Sequence, residues 1–502
     1  MSLFKNTAAQ SLNLLSSYLF SLLIAPVMLH QLGLTMFGVW AVTGAMATYA
    51  GLADFGITRS LSRFVAMYDV EGDDHAIAES IGLGLIAITV VTIIATGLAF
   101  VTLPLFADSL GVISEADLRI VLLSSVAVFS FTAYRRVLNS VEIGLRQMVP
   151  PNVANLFTNV VNFAFSLAAL LLYPDLPTYA VANALSYMVG IGAAIASVRH
   201  VWGSVPLAWP SRRRAREITS FGVKAQLHGL SDLINLQTDK IILAFAVGVR
   251  AAASYEIAAR VVSAVRSVGL LSIAAMIPTF AAHIAQHGRD DLRRIYRRYT
   301  RVAVGLAFPV YALTCVMSPL LLKAWLGDVP LHAPGVVVLL TISYLFGTSC
   351  EVAMNIATSD GRPGLVASNS IVTAGANVAL TLALAPVFGF WGVLAGTVLA
   401  LSLGSAVFIV RYNRAYGLSW SDYFAAVVPP ALLSFGVAAI IGVWVLLLGW
   451  GEPLRLTSIF LVIGITAGYT LIYWPIASRL GFLPAKMTLR PMRGARLANE
   501  QL

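Results

Sequence analysis

The stretch DLINLQTDKIILAF, Asp232 to Phe245, runs through a long apolar segment yet carries Asp232, Asn235, Gln237, Asp239 and Lys240. Water holds such groups easily and lipid does not. Either the segment is not a membrane helix, or one of its faces never meets lipid. Its surroundings decide between the two. Of 502 residues, 58% are hydrophobic and 11% charged, against about 25% charged in a typical soluble chain. Runs of about 20 apolar residues, enough to cross the hydrocarbon as a helix, recur from end to end with no soluble-domain-sized region between them. The sequence therefore predicts an all-α polytopic membrane protein, and the polar groups of 232–245 must face protein or water inside it.

Fourteen spans are predicted, over residues 8–30, 36–57, 77–105, 118–140, 151–173, 178–200, 219–247, 253–284, 302–326, 333–357, 364–386, 391–412, 422–449 and 454–477. Lys5 ahead of an apolar run is also how a signal peptide starts, but no small-residue cleavage site follows at VMLHQLG, so the first run is expected to be retained. An even number of spans puts both termini on one side. With that side cytoplasmic, 25 of the 33 basic residues fall on it, chiefly in SRRRAR (211–216) and RRIYRRYTR (293–301). Only Arg119, Arg250, Lys323 and Arg455 face out, which is the distribution the positive-inside rule expects. The net charge of +10 is then explained by topology, and no nucleic-acid partner is implied. Cys315 and Cys350 both lie in spans, where they imply neither disulfide nor metal.

The first half repeats in the second at an offset near 215 residues. Gly33 and Trp40 flank the start of span 2 as Gly248 and Tyr255 flank that of span 8. Pro104 and Gly111 end span 3 as Pro319 and Gly327 end span 9. Asn139 and Arg146 follow span 4 as Asn355 and Arg362 follow span 10. Two six-helix lobes are expected, 1–205 and 218–415, followed by spans 13 and 14 (421–478) and a basic cytoplasmic tail (479–502). Six is even, so the lobes share an orientation, and transporters built this way bind substrate between their halves.

The polar groups fall in stripes. At about 100° per residue, Lys224, His228, Asp232, Asn235 and Asp239 share one face of span 7. Gln10 and Asn13 with Asn6 and Ser17 mark span 1; Asn155, Asn159 and Asn162 with Asn152 mark span 5; Asn377 with Asn369 and Thr373 marks span 11. One such stripe is explained by helix–helix hydrogen bonding. Four on repeat-related helices point to a shared hydrated cavity, and amides that both donate and accept suit sugar hydroxyls. Among the charges, levels counted from a turn at 249–250 place Asp239 opposite Arg260, with Glu256 one turn away to share it. Arg266 is then left to face the cavity. Asp232, Asp239 and His228 are candidate carriers of a coupling ion. Arg59 and Arg63, one turn apart after DFG, are expected to snorkel to the cytoplasmic interface, the alternative being that they guide an anionic head group into the cavity mouth. No metal-ligand spacing, phosphate loop or nucleophile–base pair is present, so enzymatic activity and a bound cofactor are not expected.

Two segments carry a family resemblance: LGLTMFGVWAVTGAMATYAGLADFGITRSLSRFVA (32–66) and INLQTDKIILAFAVGVRAAASYEIAARV (234–261). They resemble bacterial polysaccharide transporters of the O-antigen flippase type, in the multidrug/oligosaccharidyl-lipid/polysaccharide flippase superfamily. The resemblance implies two lobes around an alternately opening cavity in a bacterial inner membrane. It implies an undecaprenyl-pyrophosphate-linked oligosaccharide as substrate, membrane lipids as surroundings, and a glycan polymerase and export machinery as partners. The energy source is either a coupling ion, H+ or Na+, or the membrane potential acting on the anionic head group. Spans 13 and 14 would serve the lipid tail, as in lipid II flippases. Rival expectations are a cation-coupled drug or metabolite exporter and a membrane-embedded glycan polymerase or ligase.

Overall fold

The computed structural model describes residues 2–50, 56–205, 207–274, 292–447 and 455–483, which contain fourteen helices and no strand. The first six are α1 (Ser2–Ala50), α2 (Ile57–Glu71), α3 (Asp74–Leu110), α4 (Glu115–Gly144), α5 (Val149–Leu172) and α6 (Leu176–Trp202). Next come α7 (Arg212–Ala246), α8 (Val249–Ala274), α9 (Leu292–Val316) and α10 (Ser318–Leu326). The chain continues with α11 (Ala333–Ser359), α12 (Pro363–Tyr416), α13 (Trp420–Leu447) and α14 (Arg455–Arg479).

Ten of these helices are long and apolar enough to cross a membrane. Two of the ten cross twice. Gly33 (φ 78°, ψ 169°) breaks α1, and Gly389 (φ 56°, ψ −128°) breaks α12. These are backbone conformations in which a side chain is strained and glycine is not. The predicted hairpins of spans 1–2 and 11–12 are thus sharp bends within nearly continuous helices. Adding α7 and α8, whose length suffices but whose polar residues lower their hydropathy, accounts for fourteen crossings. The protein is a multi-pass membrane protein.

Two predicted features differ in detail. Span 9 is broken at Met317, just before Pro319, into α9 and α10, and the basic run 293–301 forms the first turns of α9 rather than a loop. Helix α2 was not predicted as an element, because fifteen residues are too few to span and its apolar residues cover one face only. Ile57, Leu61, Phe64, Val65 and Tyr68 are buried, at spacings of 4, 3, 1 and 3, which is a single stripe of a helix. That stripe packs on α3, α4 and α7.

Packing follows the repeat. In the first half α1 lies on α5, α3 on α4, and both α4 and α5 on α6; in the second α7 and α11 lie on α12, and α8 and α11 on α9. The backbone goes left-handed at matching places in the two halves: at Gly33 and Gly248 (φ 78° and 125°), and at Gly111 and Gly327 (φ 57° and 85°). We call the end that carries these four the turn end and the opposite one, with the arginine runs, the basic end. The halves meet through α1 against α7 and α8. At Gly38 a Cβ would stand 2.4 Å from the Val249 carbonyl oxygen, so only glycine lets the two backbones touch. Around that contact one core cluster draws Phe37, Val39 and Val42 together with Val249, Ala253 and Tyr255.

At the basic end the connection between the halves is strapped to α3. Ser211 N–H donates to Glu79 (3.0 Å), and Arg214 pairs with Glu79 and Asp73 (2.6 Å each) while lying 4.4 Å over the Tyr68 ring. The last helices join the second half: α13 packs on α9, with Arg293 on the buried carboxylate of Asp422 at 2.7 Å, and α14 packs on α10 and α13.

Candidate functional site

Helices α7 and α8 supply the centre of the site, and their hairpin fixes its register. The chain turns at Gly248, so residues equally far from it lie level. Lys240 and Glu256 are each eight residues away and form an ion pair at 2.6 Å. One helical turn on, Arg260 donates to the other carboxylate oxygen of Glu256 at 2.8 Å. All three side chains are mostly buried, with 10%, 12% and 20% of their surface exposed for Lys240, Glu256 and Arg260. Two cations share one anion, so the cluster carries a net charge of +1.

Asp239 does not pair with Arg260, and the expectation is corrected for a geometric reason. The pivot is Gly248, one to two residues earlier than assumed, which puts Ile257 rather than Arg260 level with Asp239 and Glu256 level with Lys240, and leaves Asp239 within reach of the long Tyr255 side chain. Asp239 is fully buried. Its Oδ2 accepts from the Tyr255 hydroxyl at 2.5 Å and from Thr397 at 2.8 Å, while Oδ1 has no hydrogen-bond partner among the described residues. The Thr397 hydroxyl also lies 3.0 Å from Asn377 Oδ1 and 3.4 Å from the Val393 carbonyl. Thr381 also donates to Asn377 Oδ1, at 3.2 Å; the hydroxyl protons of Tyr255, Thr397 and Thr381 thus go to Asp239 Oδ2 and Asn377, and none reaches Asp239 Oδ1. Asn377 in turn donates to Asn235 Oδ1 at 3.1 Å.

Two cavities adjoin this network. The first, about 210 Å³, lies between the halves and is lined by Tyr18 and Ser21 of α1, by Lys240, and by Glu256 and Arg260. The second, about 330 Å³, lies within the second half among α7, α8, α11 and α12, with Arg266 and Glu351 in its wall. Asn235 and Tyr344 line both, so the two are neighbours. Arg266 does face a cavity, the second one, with its guanidinium 4.9 Å over the Tyr344 ring.

Three contacts tie α1 to the second half beside the first cavity, and we call them the turn-end seal after Arg250 and Thr35, which lie at that end. Pro26 has no N–H, so the carbonyl four residues earlier, that of Leu22, loses its helical partner. The indole N–H of Trp325, from α10, donates to that carbonyl at 2.7 Å. Arg260 reaches Ser21 Oγ at 3.3 Å, and Arg250 donates to Thr35 at 3.0 Å. All three contacts join the first half to the second.

The amides of the first half have partners of their own. Asn13 donates to Asn152 (3.2 Å), and Asn159 donates to Asn13 (3.2 Å), Ser16 (3.2 Å) and Ser17 (2.8 Å). Asn139 donates to Asn155 (3.2 Å) and Asn162 to Ser186 (2.8 Å). These are seams between α1, α4, α5 and α6, the alternative that a single stripe already allowed. Asn377, fully buried, belongs to the Asp239 network instead. Gln10 is exposed near the start of α1, and Arg63 lies 4.1 Å over the ring of Phe221 in α7. The side chains of Lys224, His228, Asp232 and Arg59 lie outside the described residues. Lys240 was missed as a site residue although its level was available, since counting from Gly248 pairs it with Glu256.

Helices of the first and second halves of a multi-pass membrane protein meet across a polar, net-positive cavity. Residues 3–283 match the family model described as "Polysaccharide biosynthesis protein", more than half of the chain. The chain belongs to that family. Among solved structures it is similar to the lipid II flippase MurJ in its inward closed conformation, with TM-score 0.67, 12% identity, and 93% of this chain and 98% of that one covered. It is also similar to a multidrug resistance MATE family transporter of the MOP superfamily in its inward-facing conformation, with TM-score 0.64, 17% identity and coverage of 81% and 94%. No curated protein matches it in sequence.

Proposed function

We propose that the protein is a flippase that moves an undecaprenyl-pyrophosphate-linked oligosaccharide from the cytoplasmic to the outer leaflet of a bacterial inner membrane, for cell-surface polysaccharide synthesis. The observation that carries this reading is the Lys240–Glu256–Arg260 cluster. A buried surplus cation between the halves of a transporter calls for an anion, and a pyrophosphate fits beside the forked donors of Arg260. The basic end is the cytoplasmic one, in keeping with the arginine runs. Translocation is by alternating access: rocking the halves would break the contacts between α1 and the second half and close the basic end.

The coupling ion is a proton or Na+ taken by Asp239. A buried carboxylate oxygen with no donor among the described residues suits either cation, and the chain Asp239–Thr397–Asn377–Asn235 links that position to the wall of both cavities. Among the described residues no cluster of His, Cys, Asp or Glu suggests a bound metal of another kind.

Cells lacking the protein should accumulate a saccharide pyrophosphate lipid in the cytoplasmic leaflet, and the wild-type gene, but not Lys240→Met, should clear it. Deletion without any such accumulation would overturn the reading, and would favour a cation-coupled exporter using the same Asp239.

A further inference from the structure

The second cavity has a composition of its own. Apart from Arg266 and Glu351, whose charges cancel, the polar groups in its wall are neutral: Asn355, Thr358, Asn369 and Ser370 are among them. A ligand there is not selected by charge. It is selected by hydrogen bonds in both directions, which is what a sugar ring offers. At about 330 Å³, the space falls at the small-ligand end of the range for binding pockets, about 300–1,000 Å³.

The comparison between the two halves shows that this cavity is not leftover helix-seam polarity. In the first half Asn139 is bonded directly to Asn155 across the seam. In the second half Asn355, the counterpart of Asn139, instead donates to the carbonyl of Glu351 in its own helix at 2.8 Å. Asn369, on the helix that repeats α5, donates to the Gly404 carbonyl at 3.1 Å. Both line an open space. The pair of amides that the first half closes on each other, Asn139 and Asn155, stands apart at its counterpart in the second half.

Depth orders the two cavities. At about 1.5 Å per helical residue, Lys240 and Glu256 lie about 12 Å from Gly248, Asn235 about 20 Å and Arg266 about 27 Å. Thr358 and Val366 bring the second cavity toward the basic end, where Thr358 is exposed. A head group with its pyrophosphate on Lys240 and Arg260 would place the next unit of the molecule past Asn235 and Tyr344.

We infer that the second cavity is a subsite for the first sugars of the lipid-linked glycan, and that Asn355, Thr358 and Ser370 read their hydroxyls. This rests on the flippase reading and assigns a place to a part of the substrate that the charged cluster does not touch. It makes binding depend on the sugar as well as on the pyrophosphate.

The test uses the full-length protein in nanodiscs and four probes: farnesyl pyrophosphate, and farnesyl pyrophosphate carrying glucose, galactose or N-acetylglucosamine. At least one sugar should improve binding about tenfold over the bare pyrophosphate. The triple variant Asn355→Leu, Thr358→Val, Ser370→Ala should abolish that advantage and leave affinity for farnesyl pyrophosphate unchanged. It should also fold, because the bonds of Asn355 and Thr358 go to carbonyls of their own helix, so no other helix loses a partner. Lys240→Met should weaken all four probes. Equal binding of all four to the wild type, or a sugar advantage that survives in the triple variant, would overturn the subsite alone. Failure of every probe to bind would overturn the flippase reading together with it.

Discussion

Removing Glu256 and removing Lys240 should have opposite consequences, although the two form one ion pair at 2.6 Å. Glu256→Gln leaves Lys240 and Arg260 buried side by side with no anion between them. Breaking a buried pair in this way costs about 3–5 kcal/mol, because the remaining charge stays desolvated. At 1.4 kcal/mol per factor of ten, that lowers the folded-to-unfolded ratio by roughly two to three and a half powers of ten. Lys240→Met is different: Glu256 keeps Arg260 at 2.8 Å, no charge is stranded, and the thioether chain fills much of the lysine's volume. Its cost should stay below about 1.5 kcal/mol, as for volume-conserving changes. What it removes is the net charge of the cluster. Abundance and thermal half-life in detergent should therefore fall for Glu256→Gln and hold for Lys240→Met, while transport by Lys240→Met is lost. The double variant removes the repulsion between the two cations but still leaves Arg260 without an anion, and should recover abundance only in part. If Lys240→Met is as scarce as Glu256→Gln, or transports normally, the cluster is not a site with a surplus charge.

Asp239→Asn keeps an oxygen for Tyr255 and Thr397 and should fold, but transport in proteoliposomes should stop responding to an imposed proton or Na+ gradient; an unchanged response would remove Asp239 from coupling. Trp325→Phe deletes the indole donor to the Leu22 carbonyl, and Pro26→Ala restores that carbonyl's helical partner. Each should weaken the turn-end seal by about 1 kcal/mol, the worth of one hydrogen bond, and the double variant should add nothing, since both act on one bond. Labelling from the turn side of a cysteine at Ser263, in a chain free of Cys315 and Cys350, would measure this, and full additivity would refute it. The Asp73 carboxyl is held below its ordinary value of 3.8 chiefly by the Ala76 N–H, with Arg214 adding to it. A lowered carboxyl stabilises fully above its unfolded value and loses this as pH falls through the folded one. Hydrogen-exchange protection of 207–211 should therefore be flat from about pH 8 to 5 and drop only below about 4; loss near neutrality would refute the strap.

What the sequence revealed depended on how locally each feature is encoded. Spans and their number follow from runs of apolar residues, and the sequence offset pairs Gly33 with Gly248, both of which turn left-handed. Exact levels did not follow, because a hairpin's pivot shifts every pairing that depends on it. A turn placed one to two residues late gave Asp239 to Arg260 and hid the Lys240–Glu256 pair, whereas the Glu256–Arg260 contact, one turn apart on one helix, was legible without it. The amide stripes were visible, but not their fate. Whether Asn139 and Asn355 close a seam or line a space depends on how far apart two helices stand, and no spacing along one helix encodes that. Helix α2 escaped because Ile57, Leu61, Phe64, Val65 and Tyr68 form an apolar stripe too short to signal a crossing.

Arg260 belongs both to the charged cluster and to the turn-end seal, since it holds Glu256 at 2.8 Å and reaches Ser21 Oγ at 3.3 Å. A guanidinium cannot serve three partners equally well, and a bound pyrophosphate competes for the donors that now point at Ser21. A ligand shifts a conformational equilibrium only by its difference in affinity for the two states. Here that difference has a physical source: the anion binds better where Arg260 has let go of the first half. Substrate binding would then loosen the seal on the side where the substrate must leave, with Trp325 and Arg250 as the remaining cross-links. Farnesyl pyrophosphate should accordingly raise labelling at Ser263→Cys from the turn side in the wild type and not in Ser21→Ala, where there is no hydroxyl contact left to release. An equal rise in both would show that Arg260 does not connect the two.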